Sequence, residues 1–499
     1  MLLSTIVFLP IVAAVLVLAL GRTQQMARLI ALIAVVGELA LTLMAFAAYD
    51  TDAGGYQFVE RFDWISAFDI QYLLAVDGLS VPMVLLNGIL GLAAVLVSWN
   101  VKERPNQYYM WLLVLQAAVM GVFVSMDLIL FFVFWELELV PMFFLISLWG
   151  TGRREYSAMK FLIYTFLGSA FMLTAMLTLY FSLPDGERTF DIMALMGRDM
   201  SGLLVPTGLV FAGFLIAFAV KLPMFPLHTW LPDAHTDAPT AVSVMLAGVL
   251  LKMGGYGLLR INAGLFPEQM TDFASTLAVI AVVSVLYGAF IVMRQTDLKR
   301  MVAYSSVSHM GFVTLGIASV AGGGSALSSV GLNGAAMQLF THGTITGLLF
   351  VVVGLIYERA HTRHIPDLGG LAKQMPLIAL GFMIAGLASL GLPTTSGFVA
   401  ELLIFLGTFQ VFGLATALAA FGVVLAAGYI LWTAQRTLFG PRVARWDGLT
   451  DARPVDVAAM LVLIIPIFVV GLYPKVLTDV FAVGIDPIMA GFGLAGFGG

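Results

Sequence analysis

Four ionisable residues stand inside runs of membrane-grade apolar sequence: Glu136 in FFVFWELELVPMFF, Lys221 in GFLIAFAVKLPMFPLHTWLP, Lys252 in MLAGVLLKMGGYGLL and Glu401 in GLPTTSGFVAELLIFLG. A charge at the centre of a bilayer helix costs about 2.5–3.5 kcal/mol on insertion scales, and such groups face the protein interior or a water-filled cavity and mark ion or proton paths. The chemistry they suit is proton transfer. At an effective dielectric constant near 20, a unit charge about 4 Å away is worth about 4 kcal/mol, so each group sets how tightly its neighbour holds a proton. The competing reading is a set of buried salt bridges that only fix helix packing.

Breaks in the apolar runs favour transport. Pro223 removes a backbone donor and clashes with the carbonyl of Ala219, and Pro226 follows closely, so the helix carrying Lys221 must kink or unwind beside the charge. The freed carbonyls are expected to face a cavity. Gly391, Pro393 and Gly397 repeat the arrangement just before Glu401. Interrupted segments at corresponding places in two halves point to an inverted-repeat transporter with ion sites near the midplane.

Glu136 and Glu138 lie about 200° apart on a regular helix. Both cannot point inward; Glu136 is taken as the interior one, partly on the resemblance described below, and Glu138 is expected on the lipid side, protonated or paired with an unseen neighbour. Glu38 is isolated in the second apolar run and reads as a packing or protonated carboxyl. His309 and His342 fall between Lys252 and Glu401 in the chain, beside the hydroxyls Ser305, Ser306, Ser308, Thr341 and Thr344. Imidazole titrates near neutrality, so both are candidate proton relays. His228, after the Pro226 break, is expected to connect the cavity to the inner face. His361 and His364 sit in a basic loop and are expected to be solvated.

The elements that must position these groups are membrane helices. Of 499 residues, 61% are hydrophobic and 11% charged, and the mean hydropathy of +1.01 lies far outside the range of soluble domains. The 51 glycines and 26 methionines suit closely packed membrane helices. The absence of cysteine excludes disulfides, thiolate metal sites and cysteine-ligated iron–sulfur clusters. A net charge of −5, thinly spread, implies no nucleic-acid partner. At about 20 residues per crossing, spans fall near 2–20, 28–49, 79–99, 108–125, 127–149, 156–182, 203–228, 239–263, 273–293, 301–320, 330–357, 376–408, 411–435 and 456–474, fourteen in all. The first carries no cleavage pattern and reads as a span. With the N-terminus outside, seventeen Lys and Arg fall on the inner side and five on the outer, which satisfies the positive-inside rule and puts both termini outside. The expected fold is all-α and integral to the membrane: an N-terminal three-helix segment (1–105), a five-helix repeat (106–265), a second, inverted five-helix repeat (266–436), and a last helix with a tail (437–499). Each repeat contains one discontinuous helix.

The stretches FAVKLPMFPLHTWLPDAHTDAPTAVSVMLAGVLLKMGGYGLLR, TDLKRMVAYSSVSHMGFV and GLPTTSGFVAE resemble the antiporter-like membrane subunits of respiratory complex I and of the multi-subunit cation/proton antiporters. The resemblance spans residues 120–405. It implies fourteen helices with two inverted repeats, and a proton channel built from Glu136, Lys221, Lys252 and Glu401. Glutamate rather than lysine at 401, and a chain without an extra long C-terminal helix, resemble the M-type branch of that family. This implies redox-driven proton translocation, with L- and N-type antiporter-like neighbours in the bilayer. FMN, iron–sulfur clusters and quinone are expected in partner subunits, and no cofactor or metal in this chain. A subunit of a sodium/proton antiporter or of a hydrogenase-linked pump is the alternative. A bacterial inner membrane is the expected location.

Overall fold

The computed structural model describes residues 1–200, 202–322, 326–441 and 443–493. Arg442, one of the basic residues assigned to the inner side, lies outside them. Among the described residues, eleven helices are long and apolar enough to cross a membrane, from Leu2–Leu20 to Pro454–Leu472. Four shorter apolar helices accompany them: Val81–Val97, Thr207–Lys221, Pro376–Ser389 and Ser396–Phe409. Most of the apolar runs read from the sequence coincide with these elements to within a few residues, but the helix of the 203–228 run stops at Lys221. The 376–408 run is divided by a break at 390–395, where Pro393 and Gly391 were expected to interrupt it.

Burial sorts the helices into shells. The most apolar stretches of Thr240–Ala263 and of the long helix Ala326–Ala360 are wholly buried, and that of Leu298–Ala318 almost wholly. Leu2–Leu20, Gln24–Ala48 and Gly413–Thr437 expose most of their apolar surface, as helices facing lipid must. The three central helices are the ones that carry Lys252, His309 and His342.

Two elements were not anticipated. The acidic segment between the second and third apolar runs, which contains Asp52, Glu60, Asp63, Asp69 and Asp77, folds into an antiparallel hairpin of β1 (Gln57–Ile65) and β2 (Ile70–Val76). It covers the break between Pro105–Val124 and Leu128–Leu137, where the Met126 N–H donates to the Leu73 carbonyl at 2.9 Å and the Gln71 N–H to Asp127 Oδ2 at 3.0 Å. Asp127 also caps the following helix, accepting from Ile129 and Leu130 N–H at 2.9 and 3.0 Å. Burial pushes its carboxyl up to about 6, against lowering by those backbone donors. The second element is Lys475–Gly491, an amphipathic helix that buries Leu477, Phe481 and Ile485. The N-terminal amino group pairs with Glu60 of β1 at 3.3 Å, and Arg61 with Asp191 at 2.8 Å, so hairpin and N-terminus share one face. Lys160 and Arg300 converge on Asp233, at 2.7 and 3.8 Å, which groups two basic residues both assigned to the inner side.

Candidate functional site

Helix Thr207–Lys221 ends on its lysine because Pro223 offers no N–H to continue the ladder. The carbonyls this loosens are not turned to a cavity, as expected from sequence. The Met224 N–H donates to Ala219 O at 2.9 Å, and the Trp230 indole to Val220 O at 2.9 Å. The break is therefore closed by local donors. Lys221 is buried between the rings of Trp135 and Phe161, 5.3 and 5.6 Å from their centroids. Its ammonium forms an ion pair with Glu138 Oε1.

That partner corrects the sequence reading. Glu138, expected toward lipid, is fully buried, whereas Glu136 is half-buried. The reason is Pro141, which cannot donate to Leu137 and splits the apolar run into Leu128–Leu137 and Leu139–Trp149, with Glu138 at the junction. The 200° separation holds only on an unbroken helix. At the junction both carboxylates come within electrostatic reach of Lys221, with Glu136 against Ser169. Glu136 Oε1 and Glu138 Oε2 have no hydrogen-bond partner among the described residues.

Lys252 lies between two π-helical segments, Leu246–Leu250 and Leu258–Ala263. Such widened turns free backbone carbonyls and occur at functional sites, and Lys252 Nζ donates to the carbonyl of Ala247. It also lies 2.7 Å from His342 Nδ1. The rings of His342 and His309 are 5.6 Å apart. His309 then reaches Glu401, Nδ1 to Oε1 at 3.4 Å, with Nε2 3.2 Å from Ser389 Oγ. Lys252, His342, His309 and Glu401 thus follow one another in a buried file, hydrogen-bonded from Lys252 to His342, in ring contact from His342 to His309, and in charge contact from His309 to Glu401. Gly391, at φ +75°, supports its end: a Cβ there would meet Glu401 Oε2 at 2.8 Å. Among the described residues no hydrogen bond joins this line to the Lys221–Glu138 pair. Helix contact does: a Cβ on Gly254, two residues beyond Lys252, would meet the Leu222 N at 2.6 Å.

His228 sits apart, boxed by Phe225, Tyr287 and Tyr304, with its ring 5.1 Å from that of Tyr287. Among the described residues its Nδ1 is unpartnered, and no hydrogen bond links it to either lysine. His361 is exposed, and His364 Nδ1 is 3.2 Å from Asp367. Glu38 is fully buried with neither oxygen partnered. Sequence reasoning missed His235, which is fully buried, stacked on Phe350 at 4.5 Å with neither ring nitrogen bonded, and within electrostatic reach of Lys252, Lys299 and His342. It also missed Lys299, assigned to a loop yet buried with Nζ 2.5 Å from Ala238 O. The available signal was position: His235 follows the Pro226 break on the same short segment as His228, and Lys299 opens an apolar run.

A multi-pass helical protein with interrupted helices and an interior line of lysine, histidine and carboxylate belongs to the class of antiporter-like membrane subunits. More narrowly, the chain belongs to the NADH:quinone oxidoreductase/Mrp antiporter transmembrane family, whose signature matches residues 125–426. It is 45% identical over 96% of its length to NAD(P)H-quinone oxidoreductase chain 4 1 of Synechococcus elongatus, covering 90% of that protein. It is 42% identical to NADH-quinone oxidoreductase subunit M of Rhodobacter capsulatus, covering 96% of this chain and 94% of the relative. Among solved structures it is similar to a chain of respiratory complex I from Thermus thermophilus, with a TM-score of 0.87, 29% identity and 99% of both chains covered. A chain of the Mrp complex from Dietzia sp. shares the fold, with a TM-score of 0.85 at 20% identity and 98% of this chain and 99% of that one covered.

Proposed function

We propose that this chain is the M-type proton-translocating membrane subunit of an NADH:quinone oxidoreductase, carrying protons while redox chemistry proceeds in partner subunits. The observation that carries the reading is the buried file Lys252, His342, His309, Glu401, each within contact distance of the next. Each member can gain and lose a proton. His342 presents Nδ1 to Lys252 and leaves Nε2 unpartnered, so it can take a proton on one nitrogen and release one from the other. Glu401 at the broken helix is the terminal exchange group.

Lys221 and Glu138 are the loading site. An ammonium beside an ionised carboxylate keeps its proton, and neutralising or withdrawing the carboxylate favours release. The released proton crosses to Lys252 through water or side-chain rotation. FMN, iron–sulfur clusters and quinone belong to partner chains in this proposal, and L- and N-type subunits are the membrane neighbours. The two interrupted helices then belong to two inverted five-helix repeats in a bacterial inner membrane, with both termini outside.

The test is Lys221→Ala in the intact complex, reconstituted into vesicles. NADH oxidation is expected to proceed with proton pumping lost; full pumping would overturn the proposal. Pumping that requires sodium would point instead to a sodium-coupled relative.

A further inference from the structure

The helix that carries Lys252 continues toward the face of the hairpin and N-terminus. Tyr256 and Arg260 follow Lys252 at spacings of about one turn, on the same side of the helix, and all three are fully buried. Arg260 is engaged on three edges: Nη2 donates to Asp77 Oδ1 at 2.5 Å, Nη1 to the Tyr56 hydroxyl at 3.1 Å and Nε to the Tyr256 hydroxyl at 3.3 Å. Asp77 is itself tied down, because its Oδ1 also accepts from Leu79 N at 3.1 Å and Ser80 N at 3.0 Å. The Tyr256 hydroxyl donates to the Phe123 carbonyl at 3.3 Å. Backbone closes over the cluster. A Cβ on Gly78 would meet the Val480 carbonyl at 2.1 Å, and one on Gly484 would meet Leu79 N at 2.1 Å.

Beyond Lys252, whose ammonium turns the other way to Ala247 and His342, the polar side chains on this side of the helix toward that face are Tyr256 and then Arg260, a group that cannot pass a proton. Guanidinium has no acceptor and stays charged. Its Nε edge meets Tyr256, on the Lys252 side, while the compensating carboxylate is held by the backbone before helix Val81–Val97. A proton leaving Lys252 this way meets a fixed positive charge in a low-dielectric setting.

We propose that Arg260, locked by Asp77 and Tyr56, is an electrostatic stop that closes the Lys252 site toward the N-terminal face, so that protons leave along His342, His309 and Glu401. This rests on the proton-translocation reading and adds a positioning residue to it. The decisive measurement is passive leak: the intact complex in liposomes under an imposed pH gradient, without NADH, followed by an internal pH dye. Arg260→Gln is expected to raise the leak about tenfold or more, the factor that a modest drop in a barrier produces. Asp77→Asn keeps the cation and stays tight, as does Arg260→Lys. A merely structural cluster predicts the opposite, since losing either partner disturbs the packing alike. Equal leak in Arg260→Gln and Asp77→Asn, or a tight Arg260→Gln in an assembled complex, overturns the stop. If Arg260→Gln prevents assembly, Asp77→Asn and Arg260→Lys decide, and a fast leak in either defeats the proposal. Because no turnover is involved, a failed stop leaves Lys221-dependent pumping unaffected.

Discussion

Lys221 and Lys252 solve the same problem in different ways. Lys221 is held by one ion pair inside an aromatic box, with the backbone at its break closed by Met224 and Trp230. Lys252 has no carboxylate among its hydrogen-bond partners; a backbone carbonyl and an imidazole receive it, and the histidines pass the contact on to Glu401. The first arrangement suits holding a charge until a neighbour changes. The second suits moving a proton, because every link has a stable neutral form. Under the proposed function, the contrast puts control at the Glu138 end of the molecule and conduction at the Glu401 end.

The sharpest way to break that comparison is at Glu138. Removing one partner of a buried pair costs about 3–5 kcal/mol, so Glu138→Gln is expected to abolish pumping and lower the thermal midpoint of the complex. Glu136→Gln, which removes a half-buried carboxylate, is expected to have a smaller effect on both. The reverse order would return the pairing to Glu136. On the conducting side, His309→Ala interrupts the file and leaves Glu401 without its imidazole neighbour, while the Lys221–Glu138 pair stays intact. A lost proton-transfer group costs about 10²-fold or more, so pumping is expected to fall by that order while assembly, read from subunit abundance, is preserved. Gly391→Ala sharpens the same point through the backbone: strain at a positive φ costs about 1–3 kcal/mol, and its new methyl presses on Glu401. Weakened pumping together with a lowered thermal midpoint is the expected result, and wild-type values for both would show that the carboxylate moves freely there. The smallest effect concerns the hairpin collar. Asp127 titrates near 6 when folded against 3.8 ordinarily, so the unfolded chain ionises first and stability falls as pH rises between those values, then levels off. Asp127→Asn is expected to flatten that segment of the pH profile of thermal unfolding in detergent.

Much of the site was legible because a charge in an apolar run has few explanations. Lys221, Lys252 and Glu401 stand out by cost alone, and Pro223 and Pro393 beside them announce broken helices. The histidines were legible as candidates from their position between those charges. The choice between Glu136 and Glu138 was not, because the helical-wheel argument presumes regular geometry and Pro141, three residues beyond Glu138, removes it. His235, Lys299 and the Arg260–Asp77 pair were hidden for a related reason. They lie at helix ends or in connecting segments, where sequence reads as solvated what the fold buries.

Composition and periodicity determined that this chain lives in a bilayer, where its spans fall and which residues carry unaffordable charge, because transfer free energies are local properties of side chains. Which carboxylate meets Lys221, which histidines complete the line from Lys252 to Glu401, and where that line is closed off were decided only by tertiary structure. Distances of a few ångströms between residues 33 or more positions apart set those pairings, and no local pattern encodes them.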